Sequence, residues 1–444
     1  MKTKPILKHI ALFASALLPT SLHALEVHEW GTFTVLVSSR GQTVDWYQPY
    51  SDAARLPAFV NMNPMFAKSN IPFAQVRMET PVIYFYPEKE MDVSVRVAFA
   101  EGSITERFPA TNDEPYTSRS SHLVVSKLDG LQSIACTVIP PTSDEIFDQR
   151  MREFSVKAPP TAVRWSGKLL PPSHEDGKLI PAVVSKQGDN YAAARNVPDA
   201  WIFHSDVSNK FAPNVNQVEK FIFYRGAGQS LPPYSVSMTN DRSISFSSYS
   251  QSDSTFLIAL RVKDGKATWV QMPNVPGPTQ DAPRLANITF PDEAISLEQA
   301  DTELRALFQA ELTERGLSKA EAKAMVDTWN HTWFSEPGQR VFTIVDRTWV
   351  DSVLPLAITP QPQKIERVFV ARYEVLSPTT EKELGDIMSK NASSTAPVKK
   401  IADLELGRFS NGAATIVAEN MKDTLISRFR SIQEKEAMPV NVEK

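Results

Sequence analysis

From Val27 to about Thr289 the apolar residues recur at every second position, which is the period of a β-strand rather than of a helix. Val93, Val95, Val97 and Phe99 alternate with Ser94, Arg96 and Ala98, so one face packs and the other is wetter. In Pro81–Tyr86, Val82, Tyr84 and Tyr86 oppose Ile83 and Phe85. Phe221–Tyr224 is apolar on both faces, as a central strand requires. The runs Thr255–Val262 and Ala267–Val270 flank Asp264-Gly265, whose type I′ turn chemistry marks a hairpin. Proline-bearing loops separate the strands at 109–120, 140–162, 171–181 and 271–284. Many strands without helices between them predict a β-rich domain over residues 25–290, sandwich- or barrel-like and mostly antiparallel. Cys136 is the only cysteine, so this body is held by packing and not by an internal disulfide. In the apolar run Ser133–Ile139 it reads as a buried, inert thiol.

The pattern changes near Pro291, and residues 291–444 read as an α+β carboxy-terminal domain with a helical hairpin and a terminal helix. Ser296 with Gln299 gives a capping box, and Leu297, Ala300, Leu304, Leu307, Phe308 and Leu312 form a stripe that stops before Gly316. Ser318 with Glu321 opens a second helix carrying Ala322, Met325, Val326, Trp329 and Trp333. A short turn between two helices predicts an antiparallel pair. The two tryptophans, one turn apart, read as core. Strands follow at 340–345 and 366–376, and a helical tail runs from Ile401 to about Arg430. Its stripe of Leu404, Leu406 and Phe409 is expected to pack on the body.

Ahead of the β-rich body, Lys2, Lys4 and Lys8 precede a short apolar run, Ile10–Leu18, and a stretch ending at Ala24. That order predicts a signal peptide over residues 1–24 and a periplasmic or secreted protein beginning near Leu25. No later run approaches the ~18 apolar residues of a membrane-spanning helix. Losing residues 1–24 removes three lysines and no acid, and moves the formal charge from −4 to −7. With that balance and no run of Lys or Arg, the surface carries no footprint for nucleic acid or anionic lipid.

The body opens on His28-Glu29-Trp30-Gly31-Thr32-Phe33-Thr34. On a regular strand His28, Trp30, Thr32 and Thr34 share one face while Glu29, Phe33, Val35 and Val37 share the other. His28 and Glu29 then act together in one site only if Gly31 marks a bulge. A metal needs three or more converging ligands, and no histidine here falls into a zinc-type spacing, so no cofactor is assigned. No G-x-S-x-G elbow is present, and Gly226-Ala227-Gly228 lacks the third glycine of a dinucleotide loop. Glu79 stands just before one buried strand, and Glu219 and Arg225 flank another. Such acids either pair with arginines inside the fold or serve as a general acid and base if they lie ~5–9.5 Å apart. The candidate ligand-binding residues are therefore His28, Glu29, Trp30, Glu79, Arg195, Glu219 and Arg225.

His28–Thr34 (HEWGTFT), Met78–Tyr86 (METPVIYFY), Glu219–Gly226 (EKFIFYRG), Glu321–Phe334 and Arg367–Pro378 (RVFVARYEVLSP) together resemble a family of exported bacterial proteins. Tyr191 with Ala193-Ala194-Arg195 is similar to that family's Y-Y-A-A-R segment, with Ala192 in place of the second tyrosine. The resemblance implies export and a shared fold, and assigns no reaction. The expectation is a non-catalytic binding or accessory protein of the cell envelope with a protein or glycan partner. The alternative is an extracytoplasmic hydrolase using Glu29, Glu79 and Glu219, with a metal at His28.

Overall fold

The computed structural model describes residues 24–44, 46, 56–57, 59–62, 74–111, 123–128, 131–136, 162–183, 191–207, 213–250, 252, 256–272, 284–390 and 404–420. The leader, the side chain of Cys136 and the tail beyond Asn420 lie outside the described residues.

A ten-stranded sheet organises the chain. Its centre consists of β1 (Leu25–Val37), β2 (Val76–Pro87), β3 (Ile222–Gly228) and β4 (Lys364–Val375), in the spatial order β4-β1-β2-β3. β1 and β2 are antiparallel, as are β2 and β3. β1 and β4 are parallel, in unbroken register from Glu26 opposite Lys364 to Val37 opposite Val375. Beyond β4 lie the strand Gly338–Ile344 and the hairpin Leu257–Lys263 with Lys266–Met272. Asp264 and Gly265 turn that hairpin with φ of 51° and 70°, the two left-handed residues that a type I′ turn requires. The strand-rich, mostly antiparallel architecture follows the reading of the alternation. The change of pattern near Pro291 is nevertheless no boundary within the sheet, because β4 pairs with β1 and Gly338–Ile344 lies between β4 and Leu257–Lys263.

Both faces of β1 are covered. Leu25, Val27, Phe33, Val35 and Val37 enter a core between the main sheet and two smaller sheets of five and three strands, a sandwich-like arrangement. Trp30 enters a second core on the opposite face, beneath helices α1 (Leu297–Glu314) and α2 (Lys319–Asn330). There Trp329 and Trp333 are buried, the latter against Phe308 and Phe342, so both are core as their spacing predicts. Each such buried large side chain contributes about 1.5–3 kcal/mol. Ser318 and Glu321 form the reciprocal capping box of α2, whereas the Gln299 side chain turns to Glu303 and leaves the Ser296 cap single-sided. Leu36 belongs to a third cluster with Val44, Trp46, Phe409 and the helix Ser410–Asn420, with Leu404 and Leu406 against it. The apolar stripe of the tail therefore covers the body.

β2 carries an irregularity that positions later chemistry. Trp30 pairs with Val82 but Thr32 pairs with Glu79, so two steps along β1 span three along β2. The extra residue is absorbed at Thr80-Pro81, with Thr80 in the left-handed region at φ 47°. Gly31 faces this bulge: a Cβ there would stand 2.6 Å from Phe369 Cε1 and 3.1 Å from Pro81 Cγ. Without the extra residue Glu79 would share the face of Ile83, in the sandwich core. With it, Glu79 turns to the helix-bearing face.

Candidate functional site

His28 and Glu29 leave opposite faces of β1, as regular strand geometry dictates. His28 Nδ1 lies 3.0 and 2.9 Å from the two carboxylate oxygens of Glu321, the capping residue of α2. The Tyr86 hydroxyl donates to the same carboxylate at 2.6 Å, and the Ser318 backbone N–H does so at 2.6 Å. Burial works to raise the Glu321 pKa, but these donors outweigh it and hold the group below the usual carboxylate range. An ionised carboxylate this close accepts a hydrogen bond from Nδ1 of the ring. One histidine, one helix cap and one tyrosine thus tie β1, β2 and α2 together.

Glu29 points into the sandwich core, fully buried. It accepts from the Tyr224 hydroxyl and from Nε of Arg367, which stands directly opposite it on β4. Arg367 Nη1 donates 2.8 Å bonds to Asp351 and to the Leu354 carbonyl.

Glu79, beyond the bulge, accepts from Thr34 Oγ1 at 2.9 Å and from Arg408, and stands 3.5 Å from Arg77. Burial would raise its pKa, yet the guanidinium groups of Arg408 and Arg77 prevail and hold it at about 2. The same face continues into Arg372, Glu374 and Arg340. Arg372 pairs with Glu374 at 2.9 Å and Glu336 at 3.1 Å, and Arg340 Nη2 reaches Glu374 at 3.1 Å. The guanidinium of Arg372 stacks over Phe409, and that of Arg408 over Trp46 and Phe409. This charged band lies at the root of the carboxy-terminal helix.

Glu219 is fully buried and held by Arg195, 2.7 Å from Nη2, with the Tyr191 hydroxyl at 2.9 Å. Here burial prevails over the single guanidinium, and the Glu219 pKa is pushed up. Arg195 ends the short 3-10 turn Ala192–Arg195, which packs on α2. Tyr84 donates to the Ala194 carbonyl at 2.7 Å. Burial, Glu321 and Glu219 together push its hydroxyl pKa up, so the His28–Glu321 and Arg195–Glu219 groups adjoin across this tyrosine. Arg225 bonds Thr80 Oγ1 at 3.2 and 3.1 Å and stacks over Phe223, securing the bulge. Trp30 is a core residue beside Tyr84.

Of the residues singled out from the sequence, the structure brings together His28, Arg195 and Glu219, and separates Glu29 and Glu79 from them. The idea that Glu29, Glu79 and Glu219 line one pocket is corrected: each carboxylate has its own arginine, and Glu29 lies on the other face of the sheet. Two cavities, of about 560 Å³ beside Ser39 and the helix Pro378–Lys390 and about 280 Å³ beside Tyr234 and Asp346, include none of the candidate residues in their walls. Among the described residues no group of three or more His, Cys, Asp or Glu side chains is placed to hold a metal ion. Glu321 and Tyr86, read from the sequence as a cap and a strand residue, prove to be partners of His28. Arg77, Arg340, Arg372, Glu374 and Arg408 were not anticipated. For all but Arg408, which stands in the short 3-10 turn Gly407–Phe409, the signal is a charge inside a strand run, as in Val370-Ala371-Arg372-Tyr373-Glu374-Val375, since such charges are buried only when paired.

No protein-family model matches this chain, and no curated protein does. Among solved structures it is similar to the mu homology domain of Fcho1 from Danio rerio with a bound Eps15 peptide, at 6% identity and a TM-score of 0.25, over 80% of this chain and 97% of that one. A second is the yeast delta-COP-I mu-homology domain complexed with a Dsl1 WxWxV peptide, at 6% identity and a TM-score of 0.26, over 80% and 98%. At these scores the likeness carries no argument about fold or ligand.

Proposed function

We propose that this chain is exported from a bacterial cytoplasm, loses residues 1–24, and works in the periplasm or outside the cell as a soluble, non-catalytic binding or accessory protein of the envelope. Its partner is an envelope protein or glycan. The observation that carries this reading is the separate neutralisation of the candidate carboxylates: Glu29 by Arg367, Glu79 by Arg408 and Arg77, Glu219 by Arg195. A hydrolytic acid and base must face one substrate across a shared cleft. Acids already committed to separate arginines, two in the ten-stranded sheet and one in the five-stranded sheet, are structural ion pairs instead. The charged, apolar and small-residue order of residues 1–24 supports export.

Expression with the intact leader, fractionation and amino-terminal sequencing test the first half. A mature terminus near Leu25 outside the cytosol is expected, and an unprocessed cytosolic chain overturns it. Incubation of the purified protein with envelope polymers and an ester panel tests the second half. Turnover that disappears in Glu219→Gln or Glu79→Gln would overturn the non-catalytic reading.

A further inference from the structure

The main sheet contains an unfinished rung. Along a strand, the backbone N–H and C=O groups of alternate residues point to alternate sides. On β4 the Phe369 carbonyl accepts from the Val345 N–H at 2.8 Å, and the Ile365 carbonyl accepts from Arg347 Nη1 at 2.8 Å. Both lie on the side away from β1. Arg367, midway between them, turns its N–H and C=O the same way. There the strand Gly338–Ile344 has ended, and the chain bends at Asp346 into the helix Arg347–Val353. Among the described residues no backbone group completes this rung. A backbone donor and acceptor left unpaired inside a sheet cost free energy unless something meets them.

A cavity of about 280 Å³ occupies the gap, with Val345, Asp346 and Arg347 on one side and Glu366, Arg367 and Val368 on the other. Arg315 and Ser252 also reach its wall, and their exposure opens it to solvent. Arg347 gives Nε to Asp351 and Nη1 to the Ile365 carbonyl, and its Nη2 has no partner among the described residues. Asp346 is held by Ser252 and by the N–H groups of Thr348 and Trp349, and Glu366 stands 3.2 Å from Lys364 Nζ.

What completes an antiparallel rung is a nitrogen donor and a carbonyl-type acceptor joined through one tetrahedral carbon. An α-amino acid is that unit. Set against Arg367, its carboxylate meets the Arg367 N–H on the side of Arg347, whose Nη2 is a second donor. Its ammonium meets the Arg367 carbonyl, with the carboxylates of Asp346 and Glu366 in the same wall as counter-charge. The Val345–Phe369 bond closes the gap at one end and the Arg347–Ile365 bond at the other, so a continuous peptide strand does not pass. Tyr234, Ile344 and Val368 add apolar surface, which suits an aliphatic side chain.

We propose that this gap is a binding site for a free α-amino acid with an aliphatic side chain. The site goes beyond the envelope partner proposed above and does not depend on it.

The test is titration of the full chain with L-alanine, L-valine and L-leucine, followed by isothermal titration calorimetry and by the backbone amide resonance of Arg367. Saturable binding of at least one, with a displaced Arg367 amide, is expected. The N-acetyl and the carboxamide derivatives of that amino acid lack the ammonium or the carboxylate. Each is expected to bind about tenfold more weakly, because a charge-assisted contact is lost. Arg347→Gln is expected to weaken the free amino acid about tenfold, with cooperative thermal unfolding showing that the variant is folded. Should that variant fail to fold, the derivative series in the parent chain decides. No saturable binding of any of the three, binding that leaves the Arg367 amide in place, equal affinity for either derivative, or unchanged affinity in folded Arg347→Gln overturns the proposal.

Discussion

At the scale of single residues, two buried glutamates show how neighbours decide what burial does. Glu79 sits among Arg77 and Arg408, with pairs almost fully removed from water, and its carboxyl is held at about 2. Glu219 has one guanidinium, on a side chain 20% exposed, and burial pushes it up instead. The sign of the linkage follows. Glu79 has a folded pKa below its ordinary 4.5, so its contribution is present above about pH 4.5 and is lost as pH falls toward 2. That contribution is of order 3 kcal/mol. Urea unfolding from pH 5 to 2 is expected to show a flatter stability profile in Glu79→Gln than in the parent. At pH 7 Glu219→Gln is expected to cost less than Glu79→Gln, because Arg195 regains water where Arg77 and Arg408 cannot. Equal costs in denaturant titrations would contradict that ordering.

At the scale of elements, the bulge of β2 and the carboxy-terminal helix depend on close fits that a hydropathy pattern does not record. Gly31→Ala would place a methyl against Phe369 and Pro81, and a loss of about 1–3 kcal/mol is expected from overpacking. Differential scanning calorimetry will read it as a lowered midpoint. Arg408 anchors the helix Ser410–Asn420 through Glu79, Trp46 and Phe409. Arg408→Met leaves Glu79 with a buried charge short of its main partner, at a cost of about 3–5 kcal/mol. Hydrogen exchange in residues 410–420 is expected to accelerate beyond that of β1, and equal protection would show that the apolar contacts alone hold the helix. The helical hairpin was legible because its caps, stripe and turn are all local signals. The bulge was not, because Thr80 adopts its positive φ to satisfy packing between β1, β2 and β4.

At the scale of the whole molecule, the parallel pairing of β1 with β4 joins residues more than three hundred positions apart into the middle of one sheet. Contacts so distant in sequence close late and cooperatively. A fragment ending at residue 290 would lack β4 and Gly338–Ile344, exposing one edge of β1 and the Leu257–Lys263 strand. Such a fragment is expected to aggregate or remain without near-ultraviolet dichroism. A monomeric, cooperatively unfolding product would show that the first 290 residues suffice. The same closure carries Arg367 to Glu29, so that ion pair forms only when the strand Lys364–Val375 is in place.

The sequence by itself determined the local alphabet: alternating strands, a type I′ hairpin, two capped helices and opposite faces for His28 and Glu29. These depend on dihedral preference and side-chain period, which act within a few residues. Which strands are neighbours, and therefore which arginine neutralises which glutamate, was decided only in three dimensions. Glu321 shows the difference most simply. Its spacing from Ser318 announces a helix cap, but its bond to His28 exists because the folded sheet brings the start of β1 beneath that cap.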